Sequence, residues 1–243
     1  TNLMLQRSKI IHTKVEILNM SDIVVGELED YCIDASVSVD VSNLARRTMT
    51  ATFKATSKTE INELSLLWIN KRIKLYFGIE RYTGEIVWFN MGIFIINNPT
   101  TEVGLEQRNI SITGTDKMFL FQQPFMDRET KIAAGIPIHS VIKKLAQLVG
   151  ENKLLIEDSL YNINAEMQMS SDDIIEDTLK EVTNLYMNYQ TYYNIDGYLV
   201  FEQTKTHIYD PITWDFTGDR DLTVSRNIVS EYDNIKNHIV VYG

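Results

Sequence analysis

Between residues 33 and 41 apolar and polar side chains alternate almost without a break. Ile33, Ala35, Val37, Val39 and Val41 fall on one side, and Asp34, Ser36, Ser38 and Asp40 on the other. Successive side chains of a strand point to opposite faces, so this is the pattern of a half-buried antiparallel strand. After Ser42-Asn43-Leu44-Ala45 a second alternation sets Met49, Ala51, Phe53 and Ala55 against Thr48, Thr50, Thr52, Lys54 and Thr56. The spacing predicts a hairpin that turns near Ser42 and Asn43. Ser57 and Glu60 have the spacing of a capping box, and Ile61, Leu64 and Trp68 follow at roughly helical intervals, which predicts a short helix. A short run at 14–18 and longer ones at 72–79, 86–96 and 108–115 read as further strands. Gly84 supplies the positive φ that a tight turn between the first two of those longer runs requires. Residues 1–115 therefore read as a first domain, an antiparallel β-barrel or sandwich with one helix.

The period then changes. Pro137 stands where a first-turn proline belongs, and Ile138, Val141, Ile142, Leu145, Leu148 and Val149 repeat with helical spacing up to Gly150. A second helix is expected to start at Ser170-Ser171-Asp172-Asp173, with a serine as cap and aspartates at the positive end of the dipole, and with Ile175, Leu179 and Val182 as its apolar stripe. This gives an α+β domain over 116–190. Strand-like runs return at 191–195 and 198–202 around Asp196-Gly197, a strong hairpin signal, and again at 225–230 and 236–242. Residues 191–243 thus read as a second β domain, incomplete as it stands. The final strand stops in mid-course and the chain opens on Thr1, which leads us to expect a processed chain or a fragment of something longer.

Composition narrows the classes. An apolar share of 44% with 23% charged residues is that of a folded chain. No apolar run has the length of a membrane span, so no membrane insertion by this chain is expected. The single cysteine, Cys32, excludes an internal disulfide and reads as a small buried hydrophobe. A net charge of −10 disfavours specific nucleic-acid binding, whose affinity comes largely from neutralised phosphates. It is compatible with nucleic acid passing close by without adhering.

No catalytic or metal-binding pattern emerges. His12, His139, His207 and His238 lack the spacing of a ligand pair, and no P-loop, nucleophile elbow or dinucleotide fingerprint occurs. Asp172-Asp173 and Glu176-Asp177 are more simply dipole-compensating residues than general acids or bases, and Asp215 to Asp221 reads as a solvated turn rather than a calcium loop. Asn19 and Asn109 match a glycosylation sequon, by chance if the chain is not secreted. Trp68, Trp88, Trp214 and the tyrosines at 186, 189, 192 and 193 could line a carbohydrate or partner surface, although cross-strand packing explains them more simply. No cofactor is expected, and no catalytic residue is assigned.

Four stretches carry a family likeness: "SVSVDVSNLARRTMTATF", "NKRIKLYFGIE" with "VWFNMGIFII", "ISITGTDKM", and "YYNIDGYLVFE" with "EYDNIKNHIVVYG". In their order the chain resembles the tail-hub, or baseplate-hub, proteins of tailed bacteriophages and phage-tail-like particles. The resemblance implies a mainly β, α+β fold with antiparallel tail-tube-like β-barrel domains and a small inserted α/β domain. It also implies a non-enzymatic structural protein of the virion, at the tail tip or baseplate, made in the host bacterial cytoplasm. Such a protein forms a ring, usually a homotrimer, around a central channel that DNA traverses, and joins the tail tube to distal-tail and tip or fibre proteins. Strand edges and the corner at Arg46 and Arg47 are the candidate contacts between copies. Two other readings stand beside it: a distal-tail adaptor or receptor- or glycan-binding tail module, and a hydrolase with dispersed carboxylates.

Overall fold

A computed structural model describes residues 10–205 and 211, apart from 29–30, 58, 64, 82, 104–107, 125–129, 171 and 186–187. The chain divides into two compact units, Thr1–Thr204 and Lys205–Gly243. The first holds all the strands and helices of the described residues. The strands expected at 225–230 and 236–242 lie outside them, as do His207, His238, Trp214, Tyr186 and the 215–221 turn.

Eight strands form one antiparallel sheet: β1 (Ile11–Leu18), β2 (Val24–Glu27), β3 (Cys32–Val39), β4 (Arg47–Lys54), β5 (Arg72–Glu80), β6 (Ile86–Ile96), β7 (Thr100–Val103) and β8 (Arg108–Asp116). Their order is β2-β1-β5-β6-β8-β4-β3, with β7 also on β8, and β3 curls back to approach β1. The hairpin expected from the alternation is present, with Ala35 opposite Ala51 and Val37 opposite Met49. Its inward residues join Val15, Ile17, Phe53, Ile73, Leu75, Phe94 and Ile112 in a core that fills the curled sheet. Ladder pairing satisfies the backbone while alternation sends one set of side chains inward, which is why the sheet curls around one core.

One expectation fails here. No helix forms over the described residues of 57–68, which make a series of turns. Thr59, fully buried, is the reason. Its hydroxyl accepts from the Thr56 N–H at 2.7 Å and donates to the Lys54 carbonyl at 2.8 Å, so the side chain takes over backbone groups that a helix would have used. Leu66 and Leu67 then pack on the barrel core instead of following a helical stripe.

The second half builds its own core. A 3₁₀ turn (Lys117–Leu120) leaves β8, and β9 (Thr130–Ile132), α1 (Ile138–Leu148), β10 (Leu154–Ile156), β11 (Met167–Met169), α2 (Ile175–Asn184), β12 (Tyr189–Tyr193) and β13 (Leu199–Gln203) follow. β10, β13 and β12 make a three-stranded sheet, and β11 pairs with β9. The apolar stripe of α1 and the Ile175, Leu179 and Val182 stripe of α2 pack with Tyr193, Leu199 and Phe201 of the sheet. Gly150 ends α1 at φ 77°, as its position foretells. The start of α2 is five residues later than Ser170. There the Asp173 carboxylate accepts the Ser170 N–H at 2.7 Å in a turn of its own, and α2 begins without a side-chain cap. The hairpin signal at Asp196-Gly197 is met, with the Asn194 Oδ1 accepting from the N–H groups of Asp196 and Tyr198 at 3.0 Å each. The boundary expected at 190–191 falls inside β12, whose side chains belong to the core beneath the helices. No helix among the described residues is long and apolar enough to cross a membrane.

Candidate functional site

The most concentrated chemistry lies where the barrel meets the α/β part. Five segments that are remote in sequence converge there. Asp22 comes from the β1–β2 turn, Arg72 opens β5, Lys117 follows the end of β8, Glu151 follows α1, and Lys153 precedes β10. The turn that presents Asp22 is set by Asn19, whose Oδ1 accepts the N–H groups of Ser21 and Ile23 at 2.9 and 3.0 Å. Asp22 itself takes the left-handed conformation at φ 59°, one that aspartate tolerates better than most residues. Gly150, by turning the chain out of α1, delivers Glu151 to the same place.

Lys117 is the centre. Only 1% exposed, its ammonium meets the carboxylates of Glu151 at 2.5 Å and Asp22 at 3.1 Å, and donates to the Gly197 carbonyl at 3.0 Å. Asp22 also receives the Arg72 guanidinium and, at 3.1 Å, the Lys153 ammonium. Glu151 accepts the Tyr193 hydroxyl at 3.0 Å on one oxygen and the N–H groups of Asn152 and Lys153, at 2.9 and 2.8 Å, on the other. The Lys117 ammonium stands 5.4 Å from the Tyr193 ring centre. Burial alone would raise the Asp22 carboxyl, yet Lys117, Arg72 and Lys153 outweigh it and hold it below the ordinary carboxylate range. Burial, reinforced by Glu151, pushes the Tyr193 hydroxyl up, so it stays a donor. The Arg72 Nε is buried with no partner among the described residues.

A second set lies beside it. Asp116 accepts the Arg47 N–H and the Met118 N–H at 3.0 Å each and so caps the 3₁₀ turn. Burial raises this carboxyl to about 6, against the pull of those N–H groups and the Arg47 charge. The Arg47 guanidinium donates to the Tyr193 carbonyl at 2.6 Å. Arg46 donates to the Gln190 Oε1 at 2.9 Å and lies 4.1 Å from the centre of the Tyr192 ring. The corner that the sequence offers as a contact between copies therefore fastens β4 to β12 within the chain. The Asp196-Gly197 turn completes the joint, since Asn90 donates to the Ile195 carbonyl at 3.1 Å and to the Asp196 carboxylate at 3.0 Å.

Chemically this is a fastening. Apart from the Arg72 Nε its polar groups are directed at one another, and beside the Asp22–Arg72 pair within the barrel, Asp22–Lys153 joins the barrel to the α/β part. The other sequence candidates are dispersed. His12 bonds Glu80 at 2.8 Å, and His139 accepts the Ser159 N–H on Nδ1 at 3.0 Å. Glu176 accepts from Gln122 at 3.3 Å. Trp88 covers Gly78 so closely that a Cβ there would lie 2.8 Å from its ring, and Tyr189 packs on Phe201 at 5.0 Å. No cluster of three metal-ligating residues occurs among the described residues. Sequence reasoning passed over Asp22, Lys117 and Glu151 because nothing local sets them apart. The only available signal was a lone lysine in an otherwise apolar stretch at the end of a predicted strand.

No protein-family model matches the chain, and no curated protein does. Solved structures do. A tail protein from Neisseria meningitidis MC58 matches with a TM-score of 0.48 at 13% identity, over 78% of this chain and 50% of that one. The 43 kDa tail protein of prophage MuSo2 from Shewanella oneidensis matches with a TM-score of 0.53 at 8% identity, over 78% of this chain and 53% of that one. A chain of the Francisella PdpA-VgrG complex matches at 0.51 with 11% identity, over 80% of this chain and 31% of that one. The chain thus spans about half the length of the two tail proteins and less of the third. The second and third likenesses carry the fold alone: an antiparallel tail-tube-like barrel joined to a small α/β part, shared with the MuSo2 tail protein.

Proposed function

We propose that the chain is a structural component of the tail hub of a phage or phage-like particle, forming a ring that surrounds the central channel and joins the tail tube to the tip. The observation that carries this reading is the pair of open strand edges on a barrel of tail-protein fold. β2 and β3 end the sheet order, and Val24, Val25, Ile33, Val39 and Val41 on and beside them are exposed, Val41 to 73%. Exposed apolar strand edges invite pairing with another chain and call for a cover. Identical subunits that repeat one heterologous contact with a closing rotation give a ring. In this reading Arg46 and Arg47 support the contact between copies indirectly, by fixing the β3–β4 hairpin on the α/β part. Residues 1–115 would be the first barrel, and β12 and β13, which share the core of the α/β part, would extend that part beyond the expected 116–190. The role is non-enzymatic and the location is the virion tail. The partners are further copies of the chain, the tube and the tip proteins, and the net charge of −10 lets DNA pass without adhering.

The test is electron microscopy of the purified protein, classified without imposed symmetry. Threefold rings with a hole wide enough for duplex DNA are the expected result. Sixfold rings would favour a distal-tail adaptor instead. Monomers at every concentration, with or without the purified tube protein, would refute assembly through these edges.

A further inference from the structure

We propose that the cleft between the 160–168 loop and α2 binds a neutral oligosaccharide. Ile138, Ile163 and Met167 are among its apolar lining residues. Around it stand the carboxamides of Asn162 and Asn164 and the carboxylates of Glu166 and Glu181, none of which has a hydrogen-bond or ion-pair partner among the described residues. Tyr161, 60% exposed, Leu160, 93% exposed, and Leu185 also line it.

Backbone hydrogen bonds anchor the loop at Tyr161 and Ile163. Ile138 N–H donates to the Tyr161 carbonyl at 3.0 Å, Gly135 N–H to the Ile163 carbonyl at 2.8 Å, and Ile163 N–H to the Ile136 carbonyl at 2.9 Å. The Ser159 hydroxyl donates to the Tyr161 carbonyl at 2.8 Å, and buried Ile163 pins the middle. A loop fixed in this way presents its side chains with little further ordering to be lost on binding.

The chemistry selects the ligand. Carboxamides donate and accept, and carboxylates accept, so together they can engage neighbouring hydroxyls in pairs. An exposed tyrosine ring with flanking leucines offers an apolar surface to the C–H face of a pyranose. No Lys, Arg or His among the described residues lines the cleft, and Glu166 and Glu181 repel anions, so phosphorylated or acidic ligands are disfavoured. The cleft beside the β3–β4 hairpin differs, because Arg46 and Lys180 line it.

The test titrates the isotope-labelled full chain with tetramers of glucose, of galactose and of N-acetylglucosamine, followed by NMR. Saturable shifts confined to residues 160–168 and α2, with affinity in the millimolar range or tighter, are expected for at least one sugar. Tyr161→Ala and Asn164→Ala should each weaken that binding by about tenfold or more, and Asn164→Ala, whose side chain is exposed, should leave the melting temperature unchanged. The absence of shifts with all three sugars, or shifts that persist in both variants, would overturn the proposal. Selective binding of an extended peptide along β11 would reassign the cleft and overturn it equally. None of these outcomes bears on ring assembly, which is read by microscopy.

Discussion

Replacing Lys117 by Met removes the one cation that touches both buried carboxylates. Met fills much the same volume, so the effect is electrostatic rather than a cavity. Asp22 would keep Arg72 and Lys153, but Glu151, 5% exposed, would keep only neutral donors: the Tyr193 hydroxyl and two backbone N–H groups. Leaving a buried charge without its partner is destabilising by about 3–5 kcal/mol. In a unit of this size that lowers the melting temperature by roughly 10 °C. Denaturant titration measures this. Lys117→Met/Glu151→Gln should regain most of the loss, because the orphaned charge goes with its partner. A loss below about 1 kcal/mol, or a double variant no more stable than the single, would refute the view that this ion set fastens the two layers.

Three further outcomes follow from the same region and from β3. Gly197→Ala should destabilise by about 1–3 kcal/mol, because the residue sits at φ 77° and its new Cβ would lie 2.8 Å from the Ile93 Cδ1; thermal melting checks it, and an unchanged midpoint counts against the docked turn. Asp116, raised to about 6 by burial, contributes stability that is present below its unfolded value and lost as pH rises through about 6, roughly 3 kcal/mol in all; a carboxyl titration by ¹³C NMR with a midpoint below 4 would contradict this. Burial, with Asp34 beside it, pushes the Cys32 thiol up to about 11, so at pH 8 the native protein should react with a thiol reagent roughly a hundredfold more slowly than the denatured chain.

The elements legible in the sequence were those whose pattern is local. The alternation at 33–41, the stripe from Ile138 to Leu148 and the Asp196-Gly197 turn each contain their own signal within a few residues, and each element forms, although Ile33, Val39 and Val41 of the first stay exposed rather than facing the core. The segment after Ser57 misleads because a capping box is also local, whereas what defeats it is the burial of Thr59 against the barrel. β9, β10 and β11 are three residues each, too short to show a period, and exist only because distant partners complete them. The ion set was out of reach for a related reason. Asp22 and Glu151 reveal their role only once the fold brings both to Lys117. Arg46 and Arg47 stood out as a basic pair, but a pair of charges does not say which surface it will meet.

The convergence on Lys117 also sets an order in time. Asp22 leaves the ribosome 129 residues before Glu151 (151 − 22). At synthesis rates of about 5–20 residues per second, that is roughly ten seconds during which the β1–β2 turn has no complete set of partners. Until α1 has emerged and Gly150 has turned the chain, Lys117 lacks its Glu151 partner. Completion of this ion set is therefore a late step of synthesis, deferred to the arrival of the α/β part.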